Sequence, residues 1–247
     1  EQFGDTWRNT RTWEGDNTQG RGYVTPGAIA SLTDEGRGPA WEMAAVEDNA
    51  YRDGFYAEWV SQKLVELKDA EKPFFLGVGF HKPHLPFNAP QKYWDLYDRE
   101  AIATAQNPFY PENGSAYGKH NFGELRNYTN IPKGNTPLTE ETAKTLIHGY
   151  YACVSYVDAQ VGKIMGALEA SGLADNTVII LWGDHGWKLG EHGMWCKHTN
   201  FELDTRVPMI ISAPGMQQNV KTSSFAGFVD IFPTLADLCG LEIPGQL

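Results

Sequence analysis

A long helical pattern placed between short, continuous apolar runs constrains the fold of this chain more than any other feature. The runs are residues 73–80 (PFFLGVGF), 177–182 (TVIILW) and 207–212 (VPMIIS). Each has the length of a strand and no polar alternation, which is typical of a strand buried on both faces of a sheet. From Thr139 to Ser171 apolar residues keep three-and-four spacing, which predicts one helix. The alternation predicts an α/β fold with a mainly parallel sheet flanked by helices.

Two shorter helices and two irregular regions complete the predicted organisation. Apolar residues on one face predict a helix from Ala50 to Asp69, and the segment from Asp230 to Cys239 has a helix-capping residue at its start. Residues 1–45 are rich in Gly, Thr, Asn and Asp and are predicted to be mostly irregular. Residues 100–137 are predicted to form a long loop excursion, and loops of this length usually serve a site.

Composition excludes several classes of protein. With 41% hydrophobic and 21% charged residues the chain is globular. Its formal charge of −11 argues against nucleic-acid binding, which relies on Lys and Arg to neutralise phosphates. No apolar stretch reaches the length of a membrane span. The three cysteines are far apart and odd in number, so they indicate neither a zinc site nor a disulfide framework.

Polar clusters directly follow two of the three predicted strands. They are HKPH (81–84) and GDHG (183–186). Ligands of open α/β sheets bind beyond the carboxyl ends of the strands, and Pro and Gly fix backbone paths on which side chains can converge. A single loop His is usually a surface residue, and Lys82 and Lys188 are most simply solubilising charges. The coincidence of two clusters nevertheless predicts an enzyme with an anion or metal site.

Three stretches resemble the type I sulfatases of the alkaline phosphatase superfamily, and within them the iduronate-2-sulfatase-like branch. The stretches are PFFLGVGFHKPHLPF (73–87), GDHGWKLGEHGMWCKHTNFE (183–202) and VDIFPTLADLCGL (229–241), in the family's order. The resemblance covers the chain from about Tyr51 to its end. It implies an alkaline-phosphatase-like sulfatase core and a periplasmic, secreted or lysosomal compartment.

The resemblance also implies roles for five residues. Asp184 and His185 resemble half of the family's calcium site; a carboxylate suits this hard cation, whereas imidazole suits zinc better. Lys197 resembles the lysine that holds the sulfate, and His84 the histidine that contacts the ester and protonates the leaving oxygen. Trp187 is expected to form a wall of the substrate pocket. We expect His84, Asp184, His185 and Lys197 to converge in space.

Some features of the resembled family have no counterpart in these 247 residues. Its formylglycine nucleophile is made from the Cys or Ser of a C/S-x-P-x-R motif, which does not occur here, and its early Asp-Asp metal pair is also missing. We therefore expect residues 1–247 to be part of one sulfatase catalytic domain, without the N-terminal nucleophile region and the C-terminal subdomain. Its partner would be the remainder of its own polypeptide.

Three functions stay open at this point. The first is a sulfuric ester hydrolase that uses Ca²⁺ and acts on a sulfated carbohydrate, for which the resemblance suggests a 2-O-sulfated uronate of a polysaccharide. The second is a metal-dependent phosphodiesterase or phosphomutase of the same superfamily, with zinc as its metal. The third is a non-catalytic carbohydrate-binding relative.

Overall fold

The computed structural model describes residues 22–69, 72–243 and 245 of the chain. The helices are α1 (Pro26–Ala30), α2 (Arg52–Leu67), α3 (Gln91–Trp94), α4 (Gly123–Arg126), α5 (Glu140–Ala170), α6 (Glu202–Thr205) and α7 (Ile231–Leu238). The strands are β1 (Trp41–Ala44), β2 (Phe87–Pro90), β3 (Ile179–Trp182), β4 (Lys188–Leu189), β5 (Trp195–Cys196) and β6 (Met209–Ser212). Single 3₁₀ turns occur in several of the connecting loops.

The three predicted helices are confirmed. Helices α2, α5 and α7 each lie within the predicted ranges, and the Thr139 side chain caps α5 by accepting a hydrogen bond from the Thr142 amide. Residues 22–45 contain α1 and β1 within otherwise irregular chain, whereas residues 1–21 lie outside the described part. None of the described helices has both the length and the apolar content that crossing a bilayer requires.

The α/β class is confirmed, and the described strands form three two-stranded sheets. Strand β1 runs parallel to β2, with Trp41 opposite Phe87 and Ala44 opposite Pro90. The strands predicted at 177–182 and 207–212 are present as β3 and β6, and they pair antiparallel, as do β4 and β5. The parallel sheet of the described residues is therefore small.

The prediction of a strand at residues 73–80 is wrong. This segment pairs with no strand among the described residues. Its Phe75 side chain is 83% exposed and Val78 is 38% exposed, so the apolar run is not buried on two faces. The physical reason is that a strand exists only where a neighbouring strand accepts its backbone hydrogen bonds, and hydrophobicity alone does not provide that neighbour.

Helix α5 packs against both α2 and β2 in the described part of the chain. At Gly149, in the middle of α5, an added Cβ would lie 2.7 Å from the Trp94 ring and 2.9 Å from Phe87 Cβ. Only glycine allows α5 to approach β2 this closely, although it weakens a helix interior. The Tyr156 hydroxyl accepts a 2.6 Å hydrogen bond from the Gly54 amide, which ties α5 to α2. Helix α2 and strand β2 are thereby held on either side of the loop at residues 81–86.

Asp48 is a buried carboxylate that joins the start of α2 to α3 and α5. Its oxygens lie 2.7 Å from Lys92 Nζ and 2.8 Å from Lys163 Nζ. Burial alone would raise the pKa of Asp48, but hydrogen bonds from Lys163 and Lys92 outweigh burial and lower the pKa to about 2. A carboxyl group with a depressed folded-state pKa stabilises the fold above its unfolded pKa, and this stability is lost as the pH falls towards 2.

Asp48→Asn is expected to lower the free energy of unfolding by about 1–3 kcal/mol at neutral pH, a range that allows for screening of both partly exposed lysines. Urea unfolding as a function of pH measures this, and the difference from wild type should shrink as the pH falls from about 4 towards 2. Glu66→Gln is the matched control, because its carboxylate pairs with Lys63 in an exposed contact. A difference between Asp48→Asn and wild type that does not depend on pH would contradict the interpretation.

Several large apolar side chains are exposed on the β3–β6 sheet and near the C-terminal helix. Leu181 and Ile210 lie opposite each other in the sheet and are 44% and 59% exposed. Trp182 is 46% exposed, and Phe232 on α7 is 56% exposed. A concentration of exposed apolar side chains on few elements is typical of a surface that another structure covers.

Candidate active site

The loop that carries His84 is fixed by α2. The Asp53 carboxylate, in the first turn of α2, accepts hydrogen bonds from the amides of His81 (3.0 Å) and Lys82 (2.8 Å). Lys82 Nζ donates a 2.6 Å hydrogen bond to the Pro86 carbonyl at the other end of the loop. Lys82 is therefore not a free solubilising charge, because its ammonium group closes the loop that presents His84.

His84 and Lys197 meet although 113 positions separate them in the sequence. Lys197 Nζ lies 2.6 Å from His84 Nε2, and His84 Nδ1 lies 2.7 Å from the Leu85 carbonyl oxygen. The side chains of His84 and Lys197 are 28% and 15% exposed. They are thus reachable from solvent yet largely desolvated, which strengthens their electrostatic interactions with a bound anion.

The backbone around Lys197 is strained. Its neighbours Cys196 and His198 have φ values of 66° and 87°, a left-handed conformation that non-glycine residues rarely adopt. Such residues cost roughly 1–3 kcal/mol each and persist only where the surrounding structure enforces them, most often at functional sites. The strain therefore supports a functional role for the position of Lys197.

Trp187 lies against both residues. Its ring centroid is 5.3 Å from that of His84, and Lys197 Nζ lies 4.7 Å from the Trp187 centroid in a cation–π contact. Tyr150 of α5 stacks on the same ring at 6.4 Å, and His185 stacks on it at 6.0 Å. The structure thus brings His84, Lys197 and Trp187 together and places His185 beside them through Trp187.

Asp184 and His185 lie in the loop that follows β3. This loop packs closely on α6, because the Gly186 amide donates to the Asp204 carbonyl (2.8 Å) and a Cβ at Gly186 would lie 2.0 Å from the Leu203 carbonyl oxygen. The Asp184 side chain is 86% exposed, and its carboxylate is 3.8 Å from His185 Nε2. His185 Nδ1 faces the Gly186 carbonyl oxygen at 2.8 Å.

These two residues fit only a part of a metal site. Within the part of the chain that the structure describes, no group of three or more His, Cys, Asp or Glu side chains could hold a metal ion. Calcium takes six to eight oxygen ligands and structural zinc takes four N, S or O ligands, whereas Asp184 and His185 supply one carboxylate and one imidazole. Neither ion has a complete site in the described residues.

Glu124 is the residue of this cluster that sequence reasoning missed. It lies in α4, inside the 100–137 excursion, and its Oε1 is 2.7 Å from His84 Nε2 and 2.9 Å from Lys197 Nζ. Its Oε2 is 3.1 Å from His198 Nε2. Burial alone would raise the pKa of Glu124, but hydrogen bonds from His84 and Lys197 hold it well below its usual range. The length of the loop was the only signal, and it did not single out a residue.

Lys188 is buried and does not solubilise the surface. Its side chain is 0% exposed, and its ammonium group contacts the Asp204 carboxylate and the Thr199 hydroxyl. Thr199 lies two residues beyond Lys197, so this buried pair fixes the chain on both sides of the candidate site. The pair is structural support for the loop and does not contact His84.

Comparisons with known proteins show the family to which the chain is similar. A profile of the Sulfatase family matches residues 3–241. Iduronate 2-sulfatase of Mus musculus is 33% identical over 233 residues, which cover 82% of this chain and 42% of the relative. Choline-sulfatase of Rhizobium meliloti is 31% identical over 207 residues, covering 81% of this chain and 39% of the relative. The chain spans less than half the length of these curated relatives.

A solved structure agrees with the sequence matches. The phosphonate monoester hydrolase of Agrobacterium radiobacter superposes with a TM-score of 0.68 and 28% identity, over 87% of this chain and 44% of that chain. The profile match includes β1 to β6 and every residue of the cluster around His84 and Lys197. The chain belongs to the sulfatase family.

Proposed function

We propose that the protein to which these residues belong hydrolyses sulfate esters, with His84 and Lys197 acting at the ester. The observation that carries this proposal is the 2.6 Å approach of an ammonium group to an imidazole on the face of Trp187, in a member of the sulfatase family. An ammonium group binds a sulfate oxygen by charge, and an imidazole can protonate the oxygen that leaves sulfur.

Each side chain has a separate task in this proposal. Lys197 binds the sulfate and offsets negative charge that accumulates as the S–O bond breaks. His84 Nε2 gives a proton to the leaving oxygen, which keeps the electron pair of the broken bond. Trp187 covers one side of both groups, which limits water around the charges and strengthens their effect.

We propose that Asp184 and His185 contribute part of a divalent-metal site that is completed by residues elsewhere. Members of the sulfatase family generally use a divalent metal, and the resemblance makes calcium the expected ion. Such an ion offsets the charge of the sulfate oxygens when bound. Metal content of the intact protein with and without Asp184→Asn tests the assignment, since loss of this ligand should lower the bound metal whether or not turnover is measured.

We propose a sulfated carbohydrate as the substrate, and more finely a 2-O-sulfated uronate of a polysaccharide. The 33% sequence identity to an iduronate 2-sulfatase supports a sulfated sugar as the substrate. Because the chain is also 31% identical to a choline-sulfatase, choline sulfate must be one of the substrates that are tested. Release of sulfate from defined 2-O-sulfated uronates, 6-O-sulfated hexosamines and choline sulfate would rank the three classes.

The structural likeness to a phosphonate monoester hydrolase favours one second candidate, a metal-dependent phosphoester or phosphonate hydrolase. Parallel assays of the intact protein on 4-nitrophenyl sulfate and an aryl phosphonate separate the two functions. Faster turnover of the phosphonate, together with two bound zinc ions and no formylglycine, would replace the sulfatase proposal.

We propose that residues 1–247 are part of one catalytic domain that further polypeptide completes. The exposed apolar side chains of β3, β6 and the 73–80 segment support this proposal, as do relatives more than twice as long as the matched region. In this proposal the nucleophile and the other metal ligands come from the remaining polypeptide. Residues 100–137 are then a loop excursion of that domain that delivers Glu124 to the site.

His84→Ala in the intact protein is expected to reduce kcat/KM by about 100-fold on an unactivated sugar sulfate, because removal of a general acid leaves the leaving oxygen unprotonated. The loss on 4-nitrophenyl sulfate should be smaller than about tenfold, since nitrophenolate leaves without a proton. Steady-state kinetics on both substrates measure the difference. His192→Ala is the matched control, because this histidine stacks on Phe201 at 4.3 Å. Equal losses on both substrates would show that His84 is not the acid.

A further inference from the structure

We infer that Glu124 is a specificity-determining residue whose carboxylate, in the absence of substrate, fills the position between Lys197 and His84 that a sulfate oxygen takes. A ligand binds only by displacing this carboxylate. The inference rests on the proposed sulfate ester hydrolysis, which assigns Lys197 and His84 to the ester. It gives a defined task to a carboxylate that lies, against simple charge complementarity, in the middle of an anion site.

One oxygen of Glu124 makes the two contacts that the proposed function gives to the ester. Oε1 lies 2.9 Å from Lys197 Nζ and 2.7 Å from His84 Nε2. Trp187 covers a further side of the pair, with Lys197 Nζ 4.7 Å from its ring centroid. Two non-bonded oxygen atoms cannot share one position, so a sulfate oxygen reaches these contacts only when Oε1 leaves. This exclusion is steric and does not depend on the protonation state of His84.

The backbone that carries Glu124 is held in place. Helix α4 is anchored by Leu125 and Arg126, which are 1% and 6% exposed, and Lys133 Nζ donates a 2.7 Å hydrogen bond to the Arg126 carbonyl. Phe122, directly before α4, has a φ of 47°, a left-handed conformation of the kind that persists mostly at functional sites. The carboxylate therefore leaves its position by rotation of its own side chain, without movement of α4.

The Glu124 carboxylate has a second partner on the side of the solvent. Its Oε2 lies 3.1 Å from His198 Nε2, and the His198 side chain is 59% exposed, whereas that of Glu124 is 16% exposed. A rotation that withdraws Oε1 from Lys197 can thus keep the contact with His198 while it brings the carboxylate closer to water. Ligand binding then needs only a shift between two side-chain positions of Glu124.

The filled position discriminates between carboxylate and sulfate ligands. The carboxylate of a uronate offers only the group that Glu124 already supplies within the same chain, and it also pays the entropy of binding. A sulfate ester replaces Oε1 with one terminal oxygen and has further oxygens for other partners, the proposed divalent metal among them. A sulfated polysaccharide that contains uronates is thus bound at its sulfate group and not at its carboxylates.

The test measures binding of inorganic sulfate to the intact protein by isothermal titration calorimetry. The dissociation constant should fall by about tenfold or more in Glu124→Ala, because in wild type only the molecules with an open position bind sulfate. Glu124→Asp should bind about threefold or more tightly than wild type, since its shorter side chain keeps the charge but does not reach Lys197 Nζ. Glu202→Gln is the matched control, because it removes the same charge from a side chain that is 80% exposed. Glu124→Asp decides the question alone if thermal unfolding shows that Glu124→Ala is not folded.

Acetate tests the discrimination against carboxylates. In Glu124→Ala acetate should compete with inorganic sulfate, because a free carboxylate can then take the vacated position, whereas wild type should show no competition at the same concentration. On 4-nitrophenyl sulfate the KM of Glu124→Ala should fall, while kcat stays within about threefold of wild type, because Glu124 competes with binding and not with the chemical step.

Sulfate binding that is unchanged or weaker in Glu124→Ala would overturn the inference, as would a lack of sulfate binding by wild type and variants alike. Tighter binding by Glu124→Ala with wild-type affinity in Glu124→Asp would also overturn it, because the carboxylate would then act through its charge alone. An intact protein that binds sulfate more tightly after both substitutions but hydrolyses no sulfate ester would refute the proposed function and leave the role of Glu124 in place.

Discussion

Lys197→Ala in the intact protein is expected to reduce turnover of sulfate esters by about 10²- to 10³-fold with little change in folding. The estimate follows from the cost of removing one charged contact to an anion in a desolvated site, which is about 3–4 kcal/mol in the transition state. The Lys197 side chain is 15% exposed, and its ammonium group is held by Glu124 at 2.9 Å and His84 at 2.6 Å. An ammonium group in this position is preorganised, so it does not reorganise when charge develops.

Folding should survive the substitution because Lys197 contributes little to the core. Its neighbour Cys196 is buried in the core and Lys188 forms the buried pair with Asp204, and both remain in Lys197→Ala. Steady-state kinetics on 4-nitrophenyl sulfate measure the loss of turnover, and thermal unfolding measures the stability of the variant. Lys221→Ala is the control, because Lys221 is an exposed lysine. Lys197→Arg should recover only part of the rate, because a planar guanidinium replaces a compact charge. A loss smaller than about tenfold would remove Lys197 from the sulfate-binding role.

Local sequence patterns predicted the helices better than the strands, because a strand depends on a partner that is distant in the sequence. Helix α5 was predictable because its signal is repeated over 31 residues and its Thr139 cap is local. The 73–80 segment carries an equally clear apolar signal, yet a strand depends on a partner that the segment itself cannot specify. Strands β3 and β6 were predictable as strands, whereas their antiparallel pairing was not, because pairing is a property of two segments.

The same limit applies to the candidate site. His84 and Lys197 were accessible to sequence reasoning through a predicted strand end and a family resemblance. Glu124 lies in a loop with no distinctive pattern, 73 positions from Lys197, and its contacts are visible only in the folded chain. Lys188 was misinterpreted for a related reason: a single lysine in a loop gives no sign of the buried carboxylate of Asp204, 16 positions later. Electrostatic partners that are distant in sequence are the part of the site that composition and periodicity do not encode.

The 247-residue chain on its own is expected to give no detectable turnover of an aryl sulfate, which is a larger effect than that of any single substitution. The resemblance assigns the nucleophile to a formylglycine from a C/S-x-P-x-R motif, and none of Cys153, Cys196 and Cys239 stands in one. Without a nucleophile, the sulfate binding proposed for Lys197 and the proton donation proposed for His84 would not lead to transfer. The two metal donors proposed among the described residues, Asp184 and His185, are also too few for a calcium ion that normally takes six or more oxygen ligands.

The direct trial incubates the purified chain with calcium and 4-nitrophenyl sulfate. The intact protein is the reference, and circular dichroism measures whether the chain has the helical content of the structure. The Lys197→Ala version of the same chain is the matched control, because sulfatase activity that survives it comes from a contaminant. Turnover near that of the intact protein, abolished by Lys197→Ala, would place a nucleophile within these 247 residues and contradict the part-domain proposal. Absence of turnover from a folded chain, with activity restored by the complete polypeptide, is the expected result, because the roles proposed for Lys197 and His84 are to bind and protonate the ester and neither side chain attacks its sulfur atom.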